Sequence, residues 1–274
     1  MGALFPDNGL LIGGDRNATH GSGARLYSLA LGMAPGEDRR KLAEFARGAL
    51  THGVDPPALD YYSDEAYRGL ERGYSFELAR PYAERAAEIC RLPTELGWWK
   101  AHNFVEMGTE LVLARSWPEL GSAASRLLAD PEPLRGVIGL MSRELELGSP
   151  EFILESFPRM LPFLVLEEVT PERLAVAYER QVRHRHEVKE IDLAGAAELL
   201  EECAADVEAT FEEFLGYVEP RVAELMEAYP PLEWERRNSS TVRRAGSAAC
   251  APKPVVARAE AATAKGNSSK RLPP

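Results

Sequence analysis

Apolar residues recur every three or four positions over most of the first 230 residues, which is the spacing of helices with one buried face. No stretch alternates apolar and polar residues as a half-buried β-strand does, so no strand is predicted. The pattern therefore predicts an all-α fold, a single helical domain of about eight to ten helices. The predicted helical segments are 25–33, 37–51, 64–72, 76–90, 97–114, 117–129, 133–147 and 151–161, then one beginning at 171 and a long one over 193–229.

Local signals place several helix boundaries. Ser63 is a good N-cap for a helix over 64–72, because its hydroxyl can accept from a free backbone N–H. Thr170 precedes a proline at the first helical position, and Asp192 can cap the last long segment. Pro220 is expected to divide that segment, because proline lacks the backbone donor of a helix interior.

The composition changes at residue 236. From there to residue 274 the chain carries nine lysines and arginines against Glu260 alone, with no hydrophobic period. We predict a helical domain over 1–235 and a disordered basic tail over 236–274. The tail is interpreted as a solvated end, with contact to RNA, to anionic lipid or to the acidic domain as the alternative.

The 274 residues carry a formal net charge of −11, which argues against nucleic acid as a specific partner. The apolar runs are too short for a membrane span, and the N-terminal residues have neither the basic nor the long apolar region of a signal peptide. The three cysteines are far apart, which is typical of a reducing compartment. A cytoplasmic location is therefore expected.

The predicted helix over 97–114 carries the most informative polar residues. His102 and Glu106 are four positions apart and share one face, and Glu110 lies a further turn along. The rest of the helix is largely apolar, so a His and a Glu on it need partners. An imidazole and a carboxylate at this spacing can hold a divalent metal, zinc above all. The alternative is a simple structural pair of the two side chains.

Further candidate metal ligands precede this helix. His20 lies in a Gly-rich loop, and His52 ends a predicted helix with Asp55 three residues later. Asp60 and Asp64 follow in the same loop. The alternative for these acidic residues is helix capping and a solvated loop, and Asp64 suits the first turn of a helix through the macrodipole.

His184 and His186 form a poor chelate, because residues two apart on a helix point in different directions. They are interpreted as part of a solvated, highly charged face. Several other catalytic signatures are absent from the sequence: a His-Asp dipeptide, Glu-x-x-His, His-Glu-x-x-His, a P-loop and Gly-x-Ser-x-Gly.

The stretches THGVDPPALDYYSDE and WWKAHNFVEMGTEL resemble the helical zinc-dependent phospholipase C superfamily, which includes single-strand nucleases. The resemblance covers roughly residues 1–115 and implies metal ligands at His52, Asp55, His102 and Glu106, with His20 as an additional ligand or acid–base group. The chain differs in having fewer histidines and no N-terminal Trp ligand, and members of the superfamily are mostly exported.

The sequence thus predicts a metal-dependent hydrolase that acts on a phosphoester, with zinc, or else manganese or iron, activating a water molecule. The expected substrate is a small-molecule or lipid-like phosphoester. Asp60 or Asp64 would orient the water or a ligand histidine. Two alternatives stay open: a non-enzymatic binding or scaffold protein in which the same residues form a structural network, and a metal site with a purely structural role.

Overall fold

The structure of the chain is a computed structural model that describes residues 1–9, 11–12 and 15–232, the side chain of Asn17 excepted. These residues form an all-α fold, as predicted, with no strand among them. The predicted basic tail over 236–274 and its boundary lie outside the described residues. The twelve α-helices are α1 (Phe5–Asn8), α2 (Arg16–His20), α3 (Ser22–Gly32), α4 (Glu37–His52), α5 (Tyr74–Ala79), α6 (Ala83–Cys90), α7 (Gly97–Ser116), α8 (Pro118–Ala129), α9 (Arg135–Glu144), α10 (Pro150–Met160), α11 (Pro171–His186) and α12 (Leu193–Ala228).

The predicted caps form where the sequence places them. The Thr170 hydroxyl accepts from the backbone N–H of Arg173 at 3.3 Å and begins α11. The Asp192 carboxylate accepts from the N–H of Gly195 at 3.0 Å and begins α12. Each such cap is worth about 1 kcal/mol of helix stability.

Two expectations about helices are wrong. The segment 64–72 is not a helix: a π-helical turn, Tyr61–Glu65, occupies its start and the chain then bends. Pro220 does not divide the last helix, and α12 continues through it. The carbonyl that loses its partner belongs to Gly216, and both residues are exposed, so water can replace the missing donor.

The helices enclose two main apolar clusters. One surrounds α7 and draws on α6, α11 and α12, with Phe104 and Leu199 fully buried. The other joins α1, α3 and α4 to α9 and α10 around Phe5 and Phe157. Burying one such side chain is worth about 1.5–3 kcal/mol. The polar residues described next come from α1 and α4, which contribute to the second cluster, from α7 of the first cluster, and from α2 and the turn Tyr61–Glu65.

No helix among the described residues has both the length and the apolar character that a membrane crossing needs.

Candidate metal centre

The helix α7 supplies the first two donors of the site. The His102 ring is buried and stacks on Phe76 with ring centroids 4.1 Å apart. Its Nδ1 lies in hydrogen-bond contact with the carbonyl oxygen of Trp99. Since a carbonyl only accepts, Nδ1 carries the hydrogen and the lone pair is left on Nε2. This Nε2 lies 3.7 Å from Oε2 of Glu106, one turn along the helix.

Asp64 completes a group of three donors with His102 and Glu106. One atom of each side chain lies within 4.8 Å of the other two. The π-helical turn Tyr61–Glu65 buries Asp64, and its Oδ1 has no hydrogen-bond partner among the described residues. A buried carboxylate oxygen without a donor is costly, so the arrangement favours a bound cation.

Asp7, His20 and His52 form a second group of three donors. The Nε2 atoms of both histidines lie 3.7 Å from Oδ1 of Asp7. The His20 Nδ1 donates to the carbonyl of Arg16 at 3.0 Å, which again leaves the lone pair on Nε2. The Nε2 of His52 is buried and has no hydrogen-bond partner among the described residues.

A close backbone contact brings these two histidines together. The N–H of Val54 donates to the carbonyl of His20 at 3.1 Å, which ties the end of α4 to the end of α2. A Cβ on the intervening Gly53 would lie 2.6 Å from the same carbonyl oxygen. Only glycine permits this approach, and the His20 and His52 rings consequently lie edge to face, 5.3 Å apart.

Asp60 and Arg16 lie between the two groups. Asp60 is within 3.9 Å of Nε2 of His20 and 4.0 Å of Nε2 of His52. The Arg16 guanidinium contacts Asp60 at 2.6 Å, Asp64 at 3.2 Å and Glu65 at 3.3 Å. Arg16 therefore compensates part of the negative charge, and it does so with one positive charge for three carboxylates.

The donor separations fit a small dication. Ligands 2.0–2.1 Å from a tetrahedral zinc lie roughly 3.4 Å apart. Three of the donor separations are 3.7 Å and the others lie within 4.8 Å, so a bound metal would draw the donors closer together. The donors are imidazole nitrogens and carboxylate oxygens, a set that suits zinc, manganese or iron.

One carboxylate of each donor group, Asp7 in the first and Glu106 in the second, lines a cleft of about 390 Å³. Asp7, Glu106 and Glu110 lie on its acidic side. The helix α11 lines another wall. Apolar side chains from the chain start, from α7 and from the end of α10 with the residues after it line the remainder: Leu4, Leu11, Met107, Met160, Phe163 and Leu164.

The electrostatics of the cleft reflect crowded carboxylates. Removal from bulk water, followed by repulsion from Asp60, raises the pKa of Asp64 to about 7. The pKa of Glu106 is raised well above its ordinary value by the same desolvation and by repulsion from Asp64. Desolvation, then the charge of Asp7, raises the pKa of Glu110 to about 7. The Glu106 side chain is 41% exposed and Glu110 is exposed as well, so water weakens the effect of desolvation on these two carboxylates more than on the buried Asp64.

We expect the metal-free protein to lose stability as the pH rises from about 6.5 to 8. The folded protein holds protons on Asp64, Glu106 and Glu110 that the unfolded chain has released, so the free energy of unfolding falls through the raised pKa values. Burial lowers the pKa of His102 to about 3. This shift makes the free energy of unfolding rise with pH, but only below about pH 6.5, where the histidine of the unfolded chain is protonated. Urea unfolding with a chelator present measures the trend.

Added zinc should stabilise the protein more at pH 8 than at pH 6, because its ligands must release their protons to bind it. If the free energy of unfolding of the metal-free protein is constant or rises between about pH 6.5 and 8, the pKa values of these carboxylates are not raised by crowding.

The structure places six of the residues that the sequence predicts for the site in two separate groups and not in one cluster: His20 and His52 lie together with Asp60 beside them, and Asp64, His102 and Glu106 form the other group. It does not bring Asp55 to them. Asp55 lies in an exposed turn directly after α4, and the chain returns to the histidines only at Asp60.

Sequence reasoning missed Asp7, Arg16 and the lining of α11. Asp7 is the only acidic residue in an otherwise apolar start of the chain, and that contrast was the available signal. His184 is exposed, as expected of a solvated face, but it lines the cleft together with Arg185. His186 differs from the expectation, because its Nε2 is buried without a hydrogen-bond partner among the described residues.

The chain was compared with protein-family models, with curated proteins and with solved structures, and none of them matches it.

Proposed function

We propose that the protein is a metal-dependent hydrolase that acts on a phosphoester, with up to two metal ions in the cleft. The observation that carries the proposal is the presence of two donor groups, Asp7–His20–His52 and Asp64–His102–Glu106, each of which supplies one carboxylate, Asp7 or Glu106, to the lining of the same cleft. The rings of His20 and His102 are oriented by hydrogen bonds to backbone carbonyls, and the buried Nε2 of His52 and Oδ1 of Asp64 lack a partner among the described residues.

The residues of the two donor groups are suitable metal ligands, and the neighbouring carboxylates Asp60 and Glu110 can assist the chemistry. Bound zinc, manganese or iron would supply a water molecule of lowered pKa and would polarise a phosphoryl oxygen. Asp60 is within reach of both histidines of the first group and can orient them or accept a proton from that water. Glu110 lines the cleft with a pKa of about 7, which suits a group that exchanges a proton near neutral pH.

A specific observation also favours the alternative of a structural network. Arg16 contacts three carboxylates at 2.6–3.3 Å and so links α2 to the π-helical turn without a metal. In a purely structural network, however, the buried Nε2 of His52 and Oδ1 of Asp64 would be expected to have protein partners.

Metal analysis tests the proposal. Full-length protein purified without a chelating tag should carry between one and two equivalents of zinc, manganese or iron. His102→Ala should remove the metal of its own group and leave that of the Asp7 group, and His52→Ala should do the reverse. Helix content should stay near wild type in the His102 variant, because alanine is a strong helix former.

Hydrolysis of bis(p-nitrophenyl) phosphate completes the test. Wild-type protein should hydrolyse this substrate when metal is bound and should lose the activity when a chelator removes the metal. The rate of the His102→Ala and His52→Ala variants should be lower than that of wild type by about 100-fold or more. Wild-type protein that is metal-free and gains no thermal stability from zinc, manganese or iron would contradict the proposal and favour the structural network.

A further inference from the structure

The last turn of α11 concentrates positive charge. It carries Arg183, His184, Arg185 and His186 in succession. Cations are favoured at a helix C-terminus, because the macrodipole is negative there. The macrodipole would stabilise Arg183 and Arg185 alike, but the fold places the two side chains differently.

Arg185 lines the cleft, and Arg183 does not. Tyr178, Gln181 and Arg185 follow one another at spacings of three and four residues, so they form one face of α11 toward the cleft. Among the described residues no carboxylate lies within ion-pair distance of Arg185, whereas Arg173 on the same helix pairs with Glu168 at 2.7 Å. The cleft thus has an exposed cation that has no carboxylate partner in the described part of the chain.

A second cation lies near this wall. Lys100 on α7 is 1% exposed, and no ion pair to its side chain occurs among the described residues. The backbone carbonyl of Lys100 contacts the hydroxyl of Tyr178, and that tyrosine lines the cleft. Lys100 itself does not line the cleft, so this contact places its backbone, and not its ammonium group, beside the cleft wall.

We propose that Arg185, with His184 beside it, binds the anionic phosphoryl group of the substrate, and that the apolar lining holds an apolar substituent of the same phosphoester. The inference rests on the proposed function, since the metal groups would hold the other side of that phosphoryl group. A guanidinium matches a phosphoryl group with two parallel N–H donors. The apolar lining is formed by Leu4, Met160, Phe163 and Leu164.

Binding of two stable anions tests this assignment. Phenylphosphonate carries the anion and an apolar ring, and inorganic phosphate carries the anion alone. Calorimetry with metal-loaded full-length protein, free metal removed, gives both dissociation constants. The variants are Arg185→Met, Arg185→Lys and, as the matched control from the same helical turn, Arg183→Met.

Arg185→Met should lower the affinity for both anions by about tenfold or more, which is the usual effect of removing a hydrogen bond to a charged group. Arg185→Lys should recover part of the loss, and Arg183→Met should bind like wild type. Wild type should bind phenylphosphonate more tightly than phosphate, and equal affinities would overturn the apolar part of the assignment.

Metal content separates the two proposals. If all variants hold metal but Arg185→Met binds both anions as tightly as Arg183→Met, the assignment of Arg185 is wrong and the proposed function stands. If wild type holds no metal, the proposed function is wrong, and the inference that rests on it is overturned with it.

Discussion

The Glu106→Gln variant should be more stable than wild type at pH 8 without metal, and it should lose most of the stabilisation that metal gives. Folding the wild type places Glu106 where desolvation and repulsion from Asp64 raise its pKa well above its ordinary value, so the charged carboxylate that the unfolded chain carries at pH 8 opposes folding. A glutamine has nearly the same shape and needs no proton. We expect a melting temperature about 2 °C or more above wild type, and the advantage should shrink toward pH 5.

Bound metal should make wild type more stable than Glu106→Gln. A dication at about 100 times its dissociation constant stabilises by roughly 2.7 kcal/mol, which corresponds to about 5 °C or more in a protein of this size. Wild type should show this shift with zinc, and Glu106→Gln should show little of it, because an amide is a poor ligand for a dication. The rate of phosphoester hydrolysis should fall by about 100-fold or more.

Glu88→Gln is the matched control for this variant. Glu88 is an exposed glutamate of α6, outside both donor groups. Its substitution should leave the pH dependence and the metal response at wild-type values. A Glu106→Gln protein that is less stable than wild type at pH 8 would instead indicate that Glu106 holds the fold together, as the structural network requires.

The helical content of the fold could be predicted because it depends on local signals. The apolar spacing of 37–51 and 97–114 identifies α4 and α7, and the caps at Thr170 and Asp192 form as the sequence indicates. The segment 64–72 is different. Ser63 has a competing partner, since its hydroxyl lies 2.7 Å from that of Ser75, and the chain there forms a π-helical turn that buries Asp64. Such a tertiary override has no local signature.

Part of the candidate site could also be predicted, because it too depends on local signals. His102 and Glu106 share a helix face, so their spacing alone places them together. The pairing of His20 with His52 depends on the approach of α2 to Gly53, and the addition of Asp7 depends on where the chain start packs. These contacts join residues far apart in the sequence, and a single sequence does not show which of several acidic residues reaches the histidines. Asp55 was expected there as a ligand and Asp7 is found instead, whereas Asp60, expected to orient water or a ligand histidine, does lie near the histidines.

Gly73→Ala should destabilise the protein and remove metal from the Asp64 group, although it changes no ligand. The N–H of Gly73 donates to the carbonyl of Asp64 at 3.0 Å, and this contact holds the end of the π-helical turn. A Cβ on Gly73 would lie 2.2 Å from the carbonyl oxygen of Ser63 and 2.3 Å from the backbone N of Asp64. Both contacts are to backbone, so the turn that presents Asp64 must move.

We expect a cost of about 1–3 kcal/mol, hence a melting temperature lower by roughly 3–10 °C, and a loss of about tenfold or more in zinc affinity. Gly139→Ala is the matched control. Gly139 lies inside α9, where a Cβ meets nothing within 4 Å, so alanine should be neutral or should stabilise by about 0.5–1 kcal/mol. Differential scanning calorimetry and zinc titration measure both variants. If Gly73→Ala unfolds at a lower temperature yet binds zinc like wild type, then Asp64 is not a ligand, and the group reduces to His102 and Glu106, two donors that are too few for a stable site.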